Sequence, residues 1–416
     1  MLVPSRRKLR WQIRRTAALL LVMAPLGTAL ATFPSAIARA GDAAAAPLTR
    51  SPFTLESMVF SNVLDGYGLF SRVSTNGDRC FDYVGRTSDG GANFRDLVLA
   101  TRWNCANGAM PTALTFDGGN GFLYGPTLSV SDDGGRSWTT SRSSGDVVAI
   151  ASAGHSLWQL VSVCSKLEAR SDGYCPLLLE TSSNGGRTWT QSPTFPKGAA
   201  VHPQVADQRS SGQSFLIRVN PRVAYVVLPP IVNFKGTTDH AELWFTANDG
   251  VTWTKRSIAC GIDALSVALS AAPGGALIGV CASGPSTGFQ PKSTVRSMNE
   301  GRTWTVINPC DPTVAATNRH CSSPLNDGYL GSIDAVSTEA VFEVGGRSSL
   351  NVTWDGGHKW TPVEPLLGGS DAGTFQVAFL NSRDGKVIVA ATNEIATTTD
   401  GGKKWTSRIA MINRRS

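Results

Sequence analysis

Ser131-Asp132-Asp133-Gly134-Gly135-Arg136-Ser137-Trp138 is one of seven versions of the same eight-residue phrase in this chain. The others run Thr87 to Phe94, Ser182 to Trp189, Thr246 to Trp253, Ser297 to Trp304, Thr353 to Trp360 and Thr398 to Trp405. Each opens with Ser or Thr, has Asp or Asn at the third place, Gly at the fifth and an aromatic at the eighth. The acceptor residues Asp89, Asp133, Asn184, Asn248, Asn299, Asp355 and Asp400 suit an Asx-turn, whose side-chain oxygen takes backbone N–H groups just downstream. The fifth-place Gly tolerates positive φ. The aromatic supplies an apolar body where the next strand begins. The phrase therefore reads as a structural turn between two antiparallel strands.

The eighth places fall at 94, 138, 189, 253, 304, 360 and 405, so the units recur at 44, 51, 64, 51, 56 and 45 residues. Four-stranded propeller blades repeat at about 40–50 residues, with insertions going to loops. Alternating runs around a Gly turn precede the phrases, as in Leu114 to Tyr124 and Phe375 to Ala391, and short runs such as Trp304 to Asn308 follow them. The expected fold is all-β, a seven-bladed β-propeller of four-stranded antiparallel blades over 51–412, with a tail at 413–416.

The pattern Ser/Thr-x-Asp-x-Gly-x-Thr-Trp resembles the Asp-box, or BNR repeat, of the sialidase superfamily, sortilin-type ectodomains and photosystem II assembly factors. In repeat count the chain is most similar to the seven-bladed assembly factors. That resemblance covers nearly all of 51–412 and is one of repeat, not of active site. It implies the architecture and a protein-binding or chaperoning role.

Residues 1–40 read as a signal peptide. Arg6, Arg7, Lys8, Arg10, Arg14 and Arg15 form a basic head, Thr16 to Ala31 an apolar stretch, and Ala38-Arg39-Ala40 a small-residue cleavage site. A retained membrane anchor is the alternative. Residues 41–50 read as a flexible leader. The full chain carries 38 Lys and Arg against 31 Asp and Glu, but seven of those bases lie in 1–40 with no acid, so the remainder is neutral. The charge therefore gives no support for a nucleic-acid partner. The expectation is a secreted or periplasmic monomer that meets an extracellular protein or glycan, with no membrane association after cleavage.

Eight cysteines fit an oxidising compartment. Repeat units contact mainly themselves and their neighbours, which favours local pairs: Cys80 with Cys105, Cys164 with Cys175, Cys260 with Cys281 and Cys310 with Cys321. There is no C-x-x-C and the five His are dispersed, so neither a metal nor another cofactor is expected.

If strands A to D run outward and the phrase joins C to D, then B–C and D–A loops share the opposite face. The long inserts 164–175, 192–213, 229–241, 282–292 and 309–327 are expected there, and loops on a rigid scaffold carry binding residues. The ligand-face candidates are His202, Asp239, His240, Glu242, Asp311, Arg319, His320, Asp327 and Tyr329. The leading reading is a binding or assembly module without catalysis. The alternative is a sialidase-like glycoside hydrolase using carboxylates or Tyr of that face. Glu242 or Asp239 with Asp311 or Asp327 would suit acid/base work at a separation of roughly 5–10 Å, and Tyr174, Tyr225 and Tyr329 are nucleophiles by type. Against it, the Arg-Ile-Pro motif of sialidases is absent and their catalytic domains have six blades. Trp244 and Trp354, beside the phrases, read as core, Trp158 as a strand residue, and the sequon Asn351-Val352-Thr353 as a chance match.

Overall fold

The computed structural model describes residues 53–105, 113–154, 156–164, 175–201, 215–229, 241–260, 264–284, 289–310, 321, 323–326, 328–345, 349–363, 375–389 and 392–412. Seven antiparallel four-stranded sheets follow one another along the chain. The first contains β1 (Thr54–Phe60), β2 (Gly66–Val73), β3 (Arg79–Thr87) and β4 (Asn93–Asn104). The second contains β5 (Ala113–Asp117), β6 (Asn120–Tyr124), β7 (Leu128–Ser131) and β8 (Thr139–Ser141). The third is β9 (Asp146–Ala153), β10 (Ser156–Ser162), β11 (Cys175–Ser182) and β12 (Thr190–Gln191), with β13 (Ala200–Val201) also on β11. The fourth is β14 (Leu216–Arg218), β15 (Ala224–Leu228), β16 (Glu242–Thr246) and β17 (Thr254–Ser257). β18 (Ala264–Ala271), β19 (Leu277–Ser283), β20 (Lys292–Ser297) and β21 (Thr305–Ile307) make the fifth. β22 (Leu330–Ala335), β23 (Val341–Gly345), β24 (Ser349–Thr353) and β25 (Trp360–Pro362) make the sixth. The seventh has β26 (Phe375–Phe379), β27 (Gly385–Val389), β28 (Glu394–Thr398) and β29 (Thr406–Ile409), after which comes β30 (Met411–Ile412).

The first strands of successive sheets pack on one another, β1 on β5, β9 on β14, β18 on β22 and β22 on β26, so they line the axis of a seven-bladed propeller. Side chains stitch these inner strands together: Ser270 accepts from the Ala335 N–H, Ser332 from Val377 and Asp334 from Phe379 at 2.7 Å. Each seam between neighbouring blades is filled by its own apolar cluster. Leu69 and Val84 meet Leu114 and Leu123 between blades 1 and 2, and Phe342 and Val344 meet Val377 and Val387 between blades 6 and 7. The seventh seam is built the same way, with Phe53, Leu55, Phe70 and Phe94 against Ile388 and Ile395.

Ring closure therefore needs no shared blade. Asn393 accepts from the Leu55 N–H at 2.7 Å and donates to the Phe53 carbonyl at 2.9 Å. β30 then runs parallel to the start of β4, Met411 opposite Asn93 and Ile412 opposite Phe94. One expectation fails in blade 1: its outer strand is not short. β4 spans 12 residues, against two to four for the outer strands of the other blades. Register shifts at Asp82/Tyr83 and Val84/Arg86 let it follow β3 to the end.

All seven repeated turns join the third strand to the fourth and have one hydrogen-bond scheme. The opening hydroxyl accepts from the fifth-place N–H, as in Gly135 to Ser131 at 2.8 Å, and donates to the third-place oxygen, as in Ser131 to Asp133 at 2.9 Å. That oxygen accepts from the seventh-place N–H, Ser137 to Asp133 at 2.9 Å. The seventh side chain accounts for the choice of Asp or Asn in five of the turns. Asn184, Asn248 and Asn299 each donate to a Thr hydroxyl, at 2.8, 2.9 and 2.8 Å. Asp89 and Asp133 instead accept, from Asn93 at 2.8 Å and Ser137 at 2.6 Å. The Ser137 hydroxyl and backbone N–H together hold the Asp133 carboxyl down at about 2.

The turn glycine does more than permit φ of 87° at Gly402: a Cβ there would lie 2.1 Å from the Phe342 ring of the preceding blade. Gly186 sits as closely on Phe122, and Gly91 on Ile395 across the seventh seam. Each turn is thus a latch between blades as well as a bend within one. At the fourth place five turns have Gly, but Asp249 and Glu300 hold φ of 56° and 62°.

Candidate functional site

The strands bracketing every long insert are second and third, or fourth and first. Inserts 164–175, 229–241 and 282–292 join β10 to β11, β15 to β16 and β19 to β20, whereas 192–213 and 309–327 join β12 to β14 and β21 to β22. All five therefore leave the propeller at the face opposite the repeated turns. Insertions between these strands leave the seven repeated turns uninterrupted.

All four disulfides lie at the same end. Cys80–Cys105 ties the start of β3 to the end of β4, and Cys164–Cys175 closes the β10–β11 connection. Cys260–Cys281 joins the exit of blade 4 to β19, and Cys310–Cys321 clips the link from blade 5 to blade 6. The neighbour pairing expected from the spacing is the pairing found.

A buried polar node supports two of the inserts. The Lys292 ammonium is fully buried at the start of β20 and donates to the carbonyls of Leu325, 2.6 Å, and Gly328, 3.2 Å, with Glu343 of blade 6 at 3.7 Å. Asn326 accepts from the Lys292 N–H at 2.7 Å, and Gln290 from the Leu330 N–H at 2.7 Å. Asn351 donates to Glu343 at 2.9 Å. A buried cation is tolerable only when paired and hydrogen-bonded in this way. Asn351 is itself buried, in keeping with the sequon being a chance match.

Of the nine ligand-face candidates, two fall on described residues. Glu242 opens β16 and is engaged at its own blade edge, 2.5 Å from Lys255 and accepting from Trp244 at 3.2 Å. Tyr329, just before β22, is 47% exposed. His202, Asp239, His240, Asp311, Arg319, His320 and Asp327, like Tyr174, lie outside the described residues. Tyr225 is buried in β15, and burial pushes its phenol up to about 12, which makes it a packing residue rather than a nucleophile. Trp158 is a buried strand residue as expected. Trp354 departs from expectation: it is 43% exposed, because the second place of the turn lies beyond the strand end, and its ring makes an edge contact with Phe342.

Two carboxylates that the insert argument missed lie at the loop end of blade 1. Asp82 on β3 is buried and accepts from Trp103 Nε1 at 3.0 Å. Burial pushes its carboxyl up to about 7; the Trp103 bond opposes this and the charge of Glu56 on β1 adds to it. Exposed Glu56 accepts from Ser71, which stands directly opposite Asp82 in the β2–β3 register. The available signal was parity: Asp82 shares the strand face of Cys80 and Val84, where an apolar residue is the ordinary choice. Among the described residues no group of three or more His, Cys, Asp or Glu is placed to hold a metal ion.

This arrangement is the fold of known propellers. YCF48 bound to D1 peptide is 14% identical, covers 87% of this chain and 95% of its own, and gives a TM-score of 0.51. YCF48 from Cyanidioschyzon merolae is 16% identical over 72% of this chain and 86% of its own, with a TM-score of 0.43. A polysaccharide lyase described as an ulvan lyase of family PL25 is 10% identical over 86% and 97%, with a TM-score of 0.48. At such identities the likeness is one of fold. No family model matches the chain, and no curated protein matches it in sequence.

Proposed function

We infer that the chain is an exported Asp-box (BNR) propeller that acts as a binding or assembly module, recognising an extracellular protein or glycan through its loop face. One observation carries this reading: five inserts and four disulfides gather at one end of the barrel, while seven hydrogen-bonded latches hold the other. Loops on a rigid frame are where recognition evolves, and covalent ties reduce the ordering entropy that binding must otherwise supply. The disulfides fit export by the signal-like residues 1–40. Among the described residues no helix is long and apolar enough to cross a membrane. That YCF48, of the same fold, is seen with a peptide bound shows that a propeller frame accommodates this task.

The Asp82–Glu56 pair favours a second reading, a glycoside hydrolase, because a carboxyl raised by burial beside a second carboxylate suits acid/base cleavage. It is the weaker reading, since Asp82 is 2% exposed and fixed by Trp103. Screening the purified protein on a glycan array and against a panel of glycoside substrates separates the two. Binding without turnover supports the module. Turnover abolished by both Glu56→Gln and Asp82→Asn, with melting temperatures retained, would establish the hydrolase instead.

A further inference from the structure

Blade 1 is electrically two-sided. Its face toward blade 2 carries Glu56, Ser71 and Asp82, whereas the face toward blade 7 carries cations. In the β2–β3–β4 register Arg72 stands opposite Phe81, and Phe81 opposite Arg102, so one cross-strand row reads Arg, Phe, Arg at the loop end. Residues directly opposite share a face, and Arg79, two places before Phe81, shares it too. Arg79 and Arg102 are exposed, and Arg72 and Phe81 are half-buried. Among the described residues none of the three guanidiniums has an acidic partner: Arg72 rests 5.9 Å over the Phe53 ring, and the ion pairs involve other arginines. By contrast Arg187, Arg218, Arg256, Arg296 and Arg302, all on or beside the repeated turns, are paired.

We propose that this row binds an acidic polysaccharide, a chain of uronic acids, with one sugar ring stacked on Phe81 and carboxylates of the flanking sugars held by Arg72 and Arg102. Guanidinium forks match carboxylates bidentately, and an aromatic face between them suits the apolar side of a pyranose. Neighbouring strands lie about 4.8 Å apart, close to the width of one sugar. The two arginines are therefore separated by about two strand spacings, roughly 9.6 Å, as are the flanking residues of a trisaccharide. An extended peptide presents same-side acids every 6.8 Å or so, which fits the row less well. The proposal rests on the loop face being the working face.

The test uses the purified full chain with polygalacturonate as probe, and dextran and poly-L-glutamate as controls, by calorimetry and affinity electrophoresis. Polygalacturonate is expected to bind and dextran not. Arg102→Gln and Phe81→Leu should each weaken binding at least tenfold at unchanged melting temperature, while Phe81→Tyr retains it. Arg79→Gln, at a fully surface position, should weaken it several-fold even where the other variants unfold. Absence of polygalacturonate binding overturns the proposal. So does poly-L-glutamate binding as tightly with Phe81→Leu unaffected, which would make the row a dock for acidic peptides. Binding of some other ligand that survives these variants but is lost in His320→Ala would refute this row and leave the loop-face reading standing.

Discussion

Replacing Asp82 by Asn should remove a pH-dependent contribution to stability. Folded, the Asp82 carboxyl is raised from 3.8 to about 7, first by burial, with Glu56 adding to it and the Trp103 bond opposing it. The folded state thus holds its proton more tightly than the unfolded state. This group's contribution is fully present below pH 3.8 and is lost as pH rises to about 7. About 3 units at 1.36 kcal/mol each sets the loss at about 4 kcal/mol at most. Asn is isosteric, keeps an acceptor for Trp103 Nε1 and never ionises. At pH 4 the two proteins should therefore unfold within about 1 kcal/mol of each other, and by pH 8 Asp82→Asn should be the more stable by a few kcal/mol. Urea unfolding followed by tryptophan fluorescence at steps from pH 4 to pH 8 measures this directly, the wild type serving as control for other groups such as Asp334, which burial raises to about 6. Glu56→Gln should move the wild-type midpoint to lower pH by removing the like charge. Parallel pH profiles for wild type and Asp82→Asn would refute the reasoning.

Gly402→Ala should destabilise by about 2–3 kcal/mol, because its Cβ overlaps Phe342 and an L-residue is strained at that φ; adding Phe342→Leu should restore part of the loss in a double-mutant cycle. Glu300→Gly should leave stability within about 1 kcal/mol in urea unfolding, since relief of positive φ offsets loss of the ion pairs with Arg302 and with Arg256, whose side chain is 10% exposed. Asp249→Gly should cost more, because it strips the carboxylate from Arg218, whose side chain is 1% exposed. Replacing Cys164 and Cys175 together by Ser should lower stability by about 2–3 kcal/mol, the scale for a short closed loop. Hydrogen exchange should then speed up at the loop face and leave Gly135 and Gly402, whose N–H groups are held by Ser131 and Thr398, protected.

The fold was legible because each turn is local: eight residues contain their own donors and acceptors, and seven copies fix the number of sheets. The disulfides were legible for the same reason, each pair lying within one blade or one junction. What escaped depends on register. Arg72, Phe81 and Arg102 belong to three strands and form a row only because β3 pairs with β2 and β4 in one alignment, which the shift at Asp82/Tyr83 helps to set. Glu56 and Asp82 escaped because inserts drew attention to loops, whereas these acids sit inside strands. The pairing of Asn with Thr and of Asp with Asn or Ser within the turns was written in the sequence, yet became meaningful only once the seventh side chain was seen to face the third.

The two faces of the propeller are stabilised by different chemistry, and that difference bears on the proposed function. At the turn end the donors are local or reach an adjacent blade, as Arg187 does to Asp132 and Lys386 to the Gly90 carbonyl, so strain at Gly402 or Glu300 is felt across a seam. At the loop end the connections are long, and disulfides and the buried Lys292–Glu343 pair add restraint to the packing of residues such as Phe195, Val201 and Leu325. A surface tied at a few points tolerates sequence change between those points without disturbing the ring. On the proposed reading, recognition is therefore free to vary at the loop end, while the latches at the other end stay as they are.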